Sequence, residues 1–357
     1  GACSDNIRDV RELVLVLPDF FLHAATAPQA QSSSLVTTLR FAPPRPLRGD
    51  WRGMLARGVG RADLALVDAA SIIAAANAIP AANAISTANV LHATAPSEAW
   101  LATPLHLLAG LKTLHFPANG ILCLPPSEAQ ELAESFAKVF GADQLALQPA
   151  GSAGFVLSGC SASGAETVDP GRLIGEGIES ALPSGAESAA LRALASEIEM
   201  WLHELPLNRR RELRGEPRVS TLWLWGGGMP PRDPLTASLA ASPAARFTRL
   251  MANDTWTQSL ARLAGLECEP LALPLALPPK ATTTDEATVC VVAPLAGVSP
   301  EIFDREVIAP AAAALAAGRL ERFAVVANDR SITASATDRY RFWRPLRSVF
   351  AAVADSP

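Results

Sequence analysis

Residues 207–218 read LNRRRELRGEPR, which places arginines at 209, 210, 211, 214 and 218. Guanidinium forks bind carboxylate and phosphate oxygens through paired N–H bonds, so this cluster is a candidate anion site. Only Glu212 and Glu216 offset the five arginines, leaving a local charge of +3. The same composition also describes a solvated loop feeding a buried strand, and composition does not separate the two. The strand candidate follows at once. STLWLWGGG (220–228) is apolar on both alternating faces, as a central buried strand is. Its terminal glycines suit either close backbone approach to a ligand or a turn forced by tight packing.

Other chemistries are narrowed by what the chain lacks. The five histidines are His23, His92, His106, His115 and His203, so residues 204–357 contain none. A Ser–acid–His triad in that chain order would need its serine before His203, and no G-x-S-x-G is present. GCSASG (159–164) misses that pattern and sits in an expected hairpin. GGGMPPRDP carries neither the G-K-[ST] of a phosphate loop nor a helix-opening dinucleotide fingerprint, because prolines stand where the helix should start. DRYRFWRPLR (338–347) interleaves arginines with Tyr340, Phe342 and Trp343. That texture stacks on single-stranded nucleic acid in some proteins and docks its aromatics on its own domain in most.

The positioning elements are legible from periodicity. RELVLVLPDFF (11–21) predicts a buried first strand with Asp19 at its carboxyl edge. RADLALVDA (61–69) suggests a second strand, and residues 74–90 an Ala-rich segment, part helical and broken at Pro80. EAWLATPLHLLAG and KTLHF predict neighbouring strands. PSEAQELAESFAKVFG (126–141) predicts a helix boxed by Ser127 and Gln130. QLALQPAGSAGFVLSG predicts a hairpin, and residues 185–203 a second helix boxed by Ser184 and Glu187 and ended by Pro206. Near the C-terminus a βαβ pattern comprises ATVCVVA (287–293), a helix from Ser299-Pro300 to Gly318, and RFAVVAND (322–329). The expected architecture is α/β, a mostly parallel sheet flanked by helices. Residues 1–95 and 206–357 form its core, and residues 96–205 form an inserted smaller α+β domain.

Composition is that of a globular chain of 357 residues, 49% hydrophobic and 18% charged. A net charge of −5 supplies no global basic field for bulk nucleic-acid binding. Five scattered cysteines without a C-x-x-C pair read as reduced thiols, with Cys123 and Cys290 expected in apolar strands. No apolar run reaches membrane-span length, and GACSDNIRD lacks a signal-peptide pattern, so a cytoplasmic location is expected.

The segment LPLNRRRELRGEPRVSTLWLWGGG resembles a motif of archaeal-type cofactor-independent phosphoglycerate mutases, members of the alkaline phosphatase superfamily. The motif runs roughly H-P-[VI]-N-x-x-R-x-x-x-G-x-P-x-A-N into an apolar strand and a glycine turn. The chain is more similar still to a bacterial group of phosphoglycerate mutase-like, RpfE-type regulatory proteins. That likeness extends through LATPLHLLAGLKTLHF, IGEGIESALP, EIEMWLHELPLN and DRYRFWRP. The resemblance implies an alkaline-phosphatase-like fold with an inserted substrate domain. It implies that Asn208 and Arg211, with Arg214 beside them, hold a phosphate or carboxylate, and that Gly215 and Pro217 make the motif's turn. It places Asp19 at the first metal-binding aspartate and Asp329 in the late metal pair. The departures are the motif histidine, which is Leu205 here, its second asparagine, which is Ser220, and the metal-pair histidine, which is Arg330. A cation at a ligand position disfavours a metal. The expectation is therefore a non-catalytic binding or regulatory protein without a cofactor, with an anion-accepting cleft and a small phosphorylated or carboxylated ligand or a protein as partner. No membrane or nucleic-acid partner is expected. The alternative is an active phosphomutase or phosphatase using Mn or Zn on Asp19 and Asp329. A weaker alternative is nucleic-acid association through the C-terminal segment.

Overall fold

The computed structural model describes residues 12–18, 38, 42, 44–47, 49–78, 98–110, 114–117, 119–162, 164–173, 178–228, 245–275, 288–293, 300–327, 330–335 and 338. Among the described residues the elements run β1 (Glu12–Leu17), β2 (Pro44–Pro46), α1 (Trp51–Gly58), α2 (Ala69–Ala78), β3 (Ala99–Leu105), β4 (Leu108–Ala109) and β5 (Leu114–His115). It continues through α3 (Pro126–Phe140), β6 (Ala146–Pro149), β7 (Phe155–Ser158), β8 (Ala165–Glu166), β9 (Ser184–Gly185), α4 (Ser188–Glu204), α5 (Pro206–Leu213) and β10 (Thr221–Gly228). Then come β11 (Arg249–Ala252), α6 (Thr255–Ala264), β12 (Cys268–Glu269), β13 (Thr288–Val292) and α7 (Pro300–Phe303). A π-helical turn (Asp304–Ile308), α8 (Ala309–Ala316), β14 (Arg322–Ala327) and β15 (Arg330–Ser335) follow among the described residues.

Two compact units result. The first comprises Gly1–Ala65, Ala240–Asn253 and Ala264–Pro357, the second Leu66–Leu239 and Asp254–Leu263. The first is built on a seven-stranded sheet in the order β12-β11-β13-β1-β14-β15-β2. From β12 to β14 all pairings are parallel, and β15 runs antiparallel to β14 and to β2. The expected mixed α/β class with a mostly parallel sheet is therefore present. Its central strands are continuous apolar runs because both faces are covered. Leu13, Leu15 and Leu17 of β1 share one core with Val289, Val291, Phe323 and Val325 and with Val307, Ile308 and Leu315 of the helical layer. The π turn has a local cause. Pro310 lacks the N–H that would bond the Glu306 carbonyl, and that carbonyl accepts instead from the Leu275 N–H at 2.6 Å.

The second unit holds a four-stranded antiparallel sheet, β10-β3-β7-β6. Leu222 and Leu224 of β10 join Phe136, Leu191, Ile198 and Leu202 in a core under α3 and α4. On that face Trp201 meets the Phe136 and Phe140 rings edge-on at 5.6 and 5.8 Å. Trp223 and Trp225 alternate to the other side, where α2 packs against β10 and β3.

Several expectations are corrected. STLWLWGGG is not a central strand of the parallel layer but an outer strand of the antiparallel sheet; its two-sided apolarity comes from helices on both faces. The second unit spans Leu66–Leu239 and Asp254–Leu263, where the sequence suggested an insertion of 96–205. RADLALVDA forms a short 3-10 turn (Ala62–Leu64) and the start of α2 rather than a strand. The segment after Pro206 is not a loop but α5, with Pro206 at its first position. Neither capping box forms. α3 is capped at Pro125 with Ser127 inside the helix, and Glu187 takes φ +61 while its carboxylate accepts from the Gly164 N–H. Cys290 is buried in β13, whereas Cys123 is exposed. No described helix is long and apolar enough to cross a membrane.

Candidate anion-binding site

α5 begins where Leu205, extended at φ −67 and ψ 124, precedes Pro206. Its last turn carries Arg210 and Arg211, which complement the negative end of the helix dipole. Leu207, Asn208 and Arg211 are buried, as the i, i+3, i+4 spacing of one helix face requires. Arg209, Arg210 and Leu213 point outward.

Asn208 is 2% exposed, and its amide is occupied by backbone. Its Oδ1 accepts from the Val219 N–H at 2.7 Å, while Nδ2 donates to the Val219 carbonyl at 2.9 Å and the Leu202 carbonyl at 2.8 Å. The side chain thus closes a two-way bridge onto the entry to β10 and ties it to the end of α4. Both amide protons are spent, so it departs from the expected role of donating to an anion.

Arg211 is also anchored. Its Nε donates to the Pro217 carbonyl at 2.8 Å, its Nη1 bonds Glu128 Oε2, and Glu216 lies 3.6 Å away. Glu128, on the first turn of α3, bridges two guanidiniums: its Oε1 accepts from Arg214 Nη2. The side chains of Arg211 and Glu128 are 6% and 11% exposed, so the pair is largely desolvated. Arg214 is different, with its side chain 44% exposed. Its Nε and Nη2 donate to the two oxygens of Glu216 at 3.0 and 2.7 Å, a bidentate fork. The hydrogen bond from Arg214 holds the Glu216 carboxyl below the usual carboxylate range, and that same bond, with Glu128 adding to it, raises the Arg214 guanidinium.

The remaining arginines lie around this centre. Arg210 bonds Glu131 of α3. Arg218 approaches Glu212 at 3.4 Å and donates to His203 Nδ1 at 3.3 Å, and its carbonyl accepts from His106 Nδ1 at 3.0 Å. The structure therefore brings Asn208, Arg211 and Arg214 together with Glu216 of the same segment, and adds Glu128 and Glu131 as unforeseen partners. The Glu-x-x-Glu spacing on one face of α3 was the available signal, but nothing local pairs it with arginines about eighty residues later.

The glycine turn resolves towards packing. A Cβ on Gly227 would fall 2.2 Å from the Trp100 indole, and one on Gly228 would fall 1.7 Å from Asp68 Oδ2. Gly226, at φ +59, lies against Ala69. Burial pushes the Asp68 carboxyl up, and burial followed by the Glu98 charge pushes the Cys160 thiol up, away from thiolate reactivity.

Asp19 and Asp329 lie outside the described residues, as does DRYRFWRPLR apart from Asp338. Among the described residues no group of three or more His, Cys, Asp or Glu side chains could hold a metal ion. The donor chemistry does not fit a centre with C-terminal imidazole ligands: the last histidine is His203, and Arg330 follows Asp329.

These features define a mixed α/β chain with a parallel sheet in one unit and an arginine–carboxylate cluster in the other. No family model matches it. Its sequence is similar to a probable 2,3-bisphosphoglycerate-independent phosphoglycerate mutase of Geobacter sulfurreducens, 30% identical over 107 residues, covering 30% of this chain and 27% of the relative. It is also similar to 2,3-bisphosphoglycerate-independent phosphoglycerate mutase 2 of Methanothermobacter thermautotrophicus, 33% identical over 78 residues, 22% of this chain and 19% of the relative. The matches thus span about a quarter or less of those relatives. Among solved structures, the cofactor-independent phosphoglycerate mutase of Thermoplasma acidophilum aligns at a TM-score of 0.37 and 13% identity, over 97% of this chain and 95% of that one. The PH0037 protein of Pyrococcus horikoshii aligns at 0.40 and 10%, over 92% and 88%.

Proposed function

We propose that this chain is a phosphoglycerate mutase-like protein of the alkaline phosphatase superfamily, of the RpfE-type regulatory group, with a non-catalytic binding role. It accepts a small phosphorylated or carboxylated ligand at Arg214, and the cytoplasm is its place of action. The observation that carries this reading is the division of labour within the motif. Asn208 and Arg211 are committed to backbone and to Glu128, and so fasten α5, while Arg214 keeps a half-exposed fork already shaped around a carboxylate. Calorimetric titration of the full chain with inorganic phosphate and with malonate is expected to show binding that Arg214→Gln abolishes. Binding unchanged in that variant overturns the assignment of the site. Conversion of 3-phosphoglycerate to 2-phosphoglycerate, dependent on added Mn, overturns the non-catalytic reading.

A second reading draws on the curated relatives, both named as phosphoglycerate mutases. It makes the chain an active metal-dependent phosphomutase or phosphatase with Asp19 and Asp329 as ligands, which requires a carboxylate-rich donor set. Metal analysis separates the two readings. Stoichiometric Mn or Zn lost in Asp19→Asn and Asp329→Asn favours the enzyme.

A further inference from the structure

We propose that Glu216 is a tethered occupant of the Arg214 fork, a built-in carboxylate that an incoming oxyanion must displace. The inference rests on the anion-binding reading above and adds its regulation. Glu216 presents to Arg214 what a ligand would present: two oxygens on Nε and Nη2, at 3.0 and 2.7 Å. The same carboxylate stands 3.6 Å from Arg211 Nη1, so it lies between two guanidiniums. Glu128 shares Arg211 Nη1 and Arg214 Nη2 with Glu216, but its side chain is 11% exposed, whereas that of Glu216 is 42% exposed. One carboxylate is therefore a fixed counter-charge and the other is free to swing into water.

The backbone permits that swing. The turn is held without the Glu216 side chain. The Glu216 N–H bonds the Arg211 carbonyl at 2.9 Å, the Gly215 N–H bonds the Glu212 carbonyl at 3.0 Å, and Arg211 Nε holds the Pro217 carbonyl. Gly215, at φ +72, reverses the chain so that Glu216 folds back over Arg214. When the carboxylate leaves, Arg211 and Arg214 face Glu128 alone, a net charge of +1 that calls for one oxyanion. Exposed ion pairs hold weakly, so exchange with solute is open. A tether that fills the fork about nine-tenths of the time weakens apparent affinity about tenfold.

The test is orthophosphate binding to the full chain, followed by phosphorus NMR line broadening, in wild type, Glu216→Gln, Arg214→Gln, the double variant and Glu212→Gln. Glu212→Gln changes net charge by the same amount one turn away and is the control for general electrostatics. The expected result is binding about tenfold tighter in Glu216→Gln, no tightening in Glu212→Gln, and loss in both variants lacking Arg214. Equal affinity in wild type and Glu216→Gln, with loss on Arg214→Gln, overturns the tethered-occupant inference and leaves the anion site standing. Tightening that persists without Arg214, or that Glu212→Gln reproduces, overturns it as a general charge effect. Absence of binding in both wild type and Glu216→Gln overturns the inference and the anion-site reading together.

Discussion

The strand β1 is buried along its length and the helix α5 buries one face, each within its own unit, and opposite means hold them there. From Leu13 to Leu17 every β1 side chain is apolar and at most 2% exposed, and both neighbouring strands pair with it in parallel register. Half of α5 is charged, and its buried face contains only one apolar side chain, Leu207, beside Asn208 and Arg211. Burying a polar group is tolerable only when each donor and acceptor finds a partner. Asn208 and Arg211 meet that condition through backbone carbonyls and Glu128. Apolar burial is forgiving of partner and direction, whereas this network depends on every member.

That difference predicts unequal fragility. Glu128→Ala removes the hydrogen-bonded counter-charge of the buried Arg211 guanidinium and leaves it Glu216 at 3.6 Å, and breaking such a pair costs about 3 kcal/mol, the low end for a buried pair. A fall of that size in the urea-unfolding free energy of the second unit is expected, with little change in the first. Replacing both members, Glu128→Leu with Arg211→Met, is expected to recover most of the loss, because well-packed apolar groups of similar size can substitute for a buried ion pair. A double variant as unstable as Glu128→Ala would show that the pair's geometry, rather than unpaired charge, carries the stability.

On the apolar side, Leu15→Ala removes a fully buried side chain from the middle of the parallel sheet. Cavity formation there is expected to cost about 3 kcal/mol, read from the unfolding of the first unit. The Glu128 variants should leave that transition untouched. A shift of both transitions by either variant would mean that the two units unfold together.

Asn208→Ala comes next. It removes the partners of the Val219 N–H and of two carbonyls, and exposing such groups unpaired costs about 2 kcal/mol in total once water partly replaces them. Hydrogen exchange should report it at one place, with the Val219 amide losing protection while the β3 amides keep theirs. Equal loss across β3 would make Asn208 a general packing residue rather than a local bridge.

The same contrast explains what the sequence could reveal. β1, β13 and β14 were legible as strands because continuous apolar, valine-bearing runs have one common explanation, a sheet covered on both faces. The run in β10 is equally apolar, and periodicity could not say which sheet receives it; α2 and α4 cover it in the second unit instead. The arginine motif was legible as a unit, but its partners were not. Glu128 precedes Arg211 by 83 positions, and no local rule joins an acidic first helical turn to so distant a guanidinium. The capping boxes misled because they are local rules that tertiary geometry overrode: Glu187 turned to the Gly164 amide instead of its own helix.

The smallest expected effect lies at the exposed edge of the network, where Glu216 meets Arg214. The hydrogen bond from Arg214 depresses the Glu216 carboxyl in the folded protein. A group depressed on folding binds protons more readily when unfolded, so it contributes stability above its unfolded value and loses it as pH falls through the folded one. The unfolded reference is about 4.3 for glutamate. Wild type should therefore exceed Glu216→Gln in urea midpoint at neutral pH. The difference should begin to shrink below about pH 5 and vanish once the folded carboxyl is protonated. Because both side chains are nearly half exposed, added salt should shrink it at neutral pH as well. Glu128, enclosed between two arginines, should show no such salt response, and the Glu128→Ala deficit should survive it. A Glu216 difference that grows in acid, or that resists salt as the Glu128 deficit does, would place Glu216 in the fixed part of the network and not at its exchangeable edge.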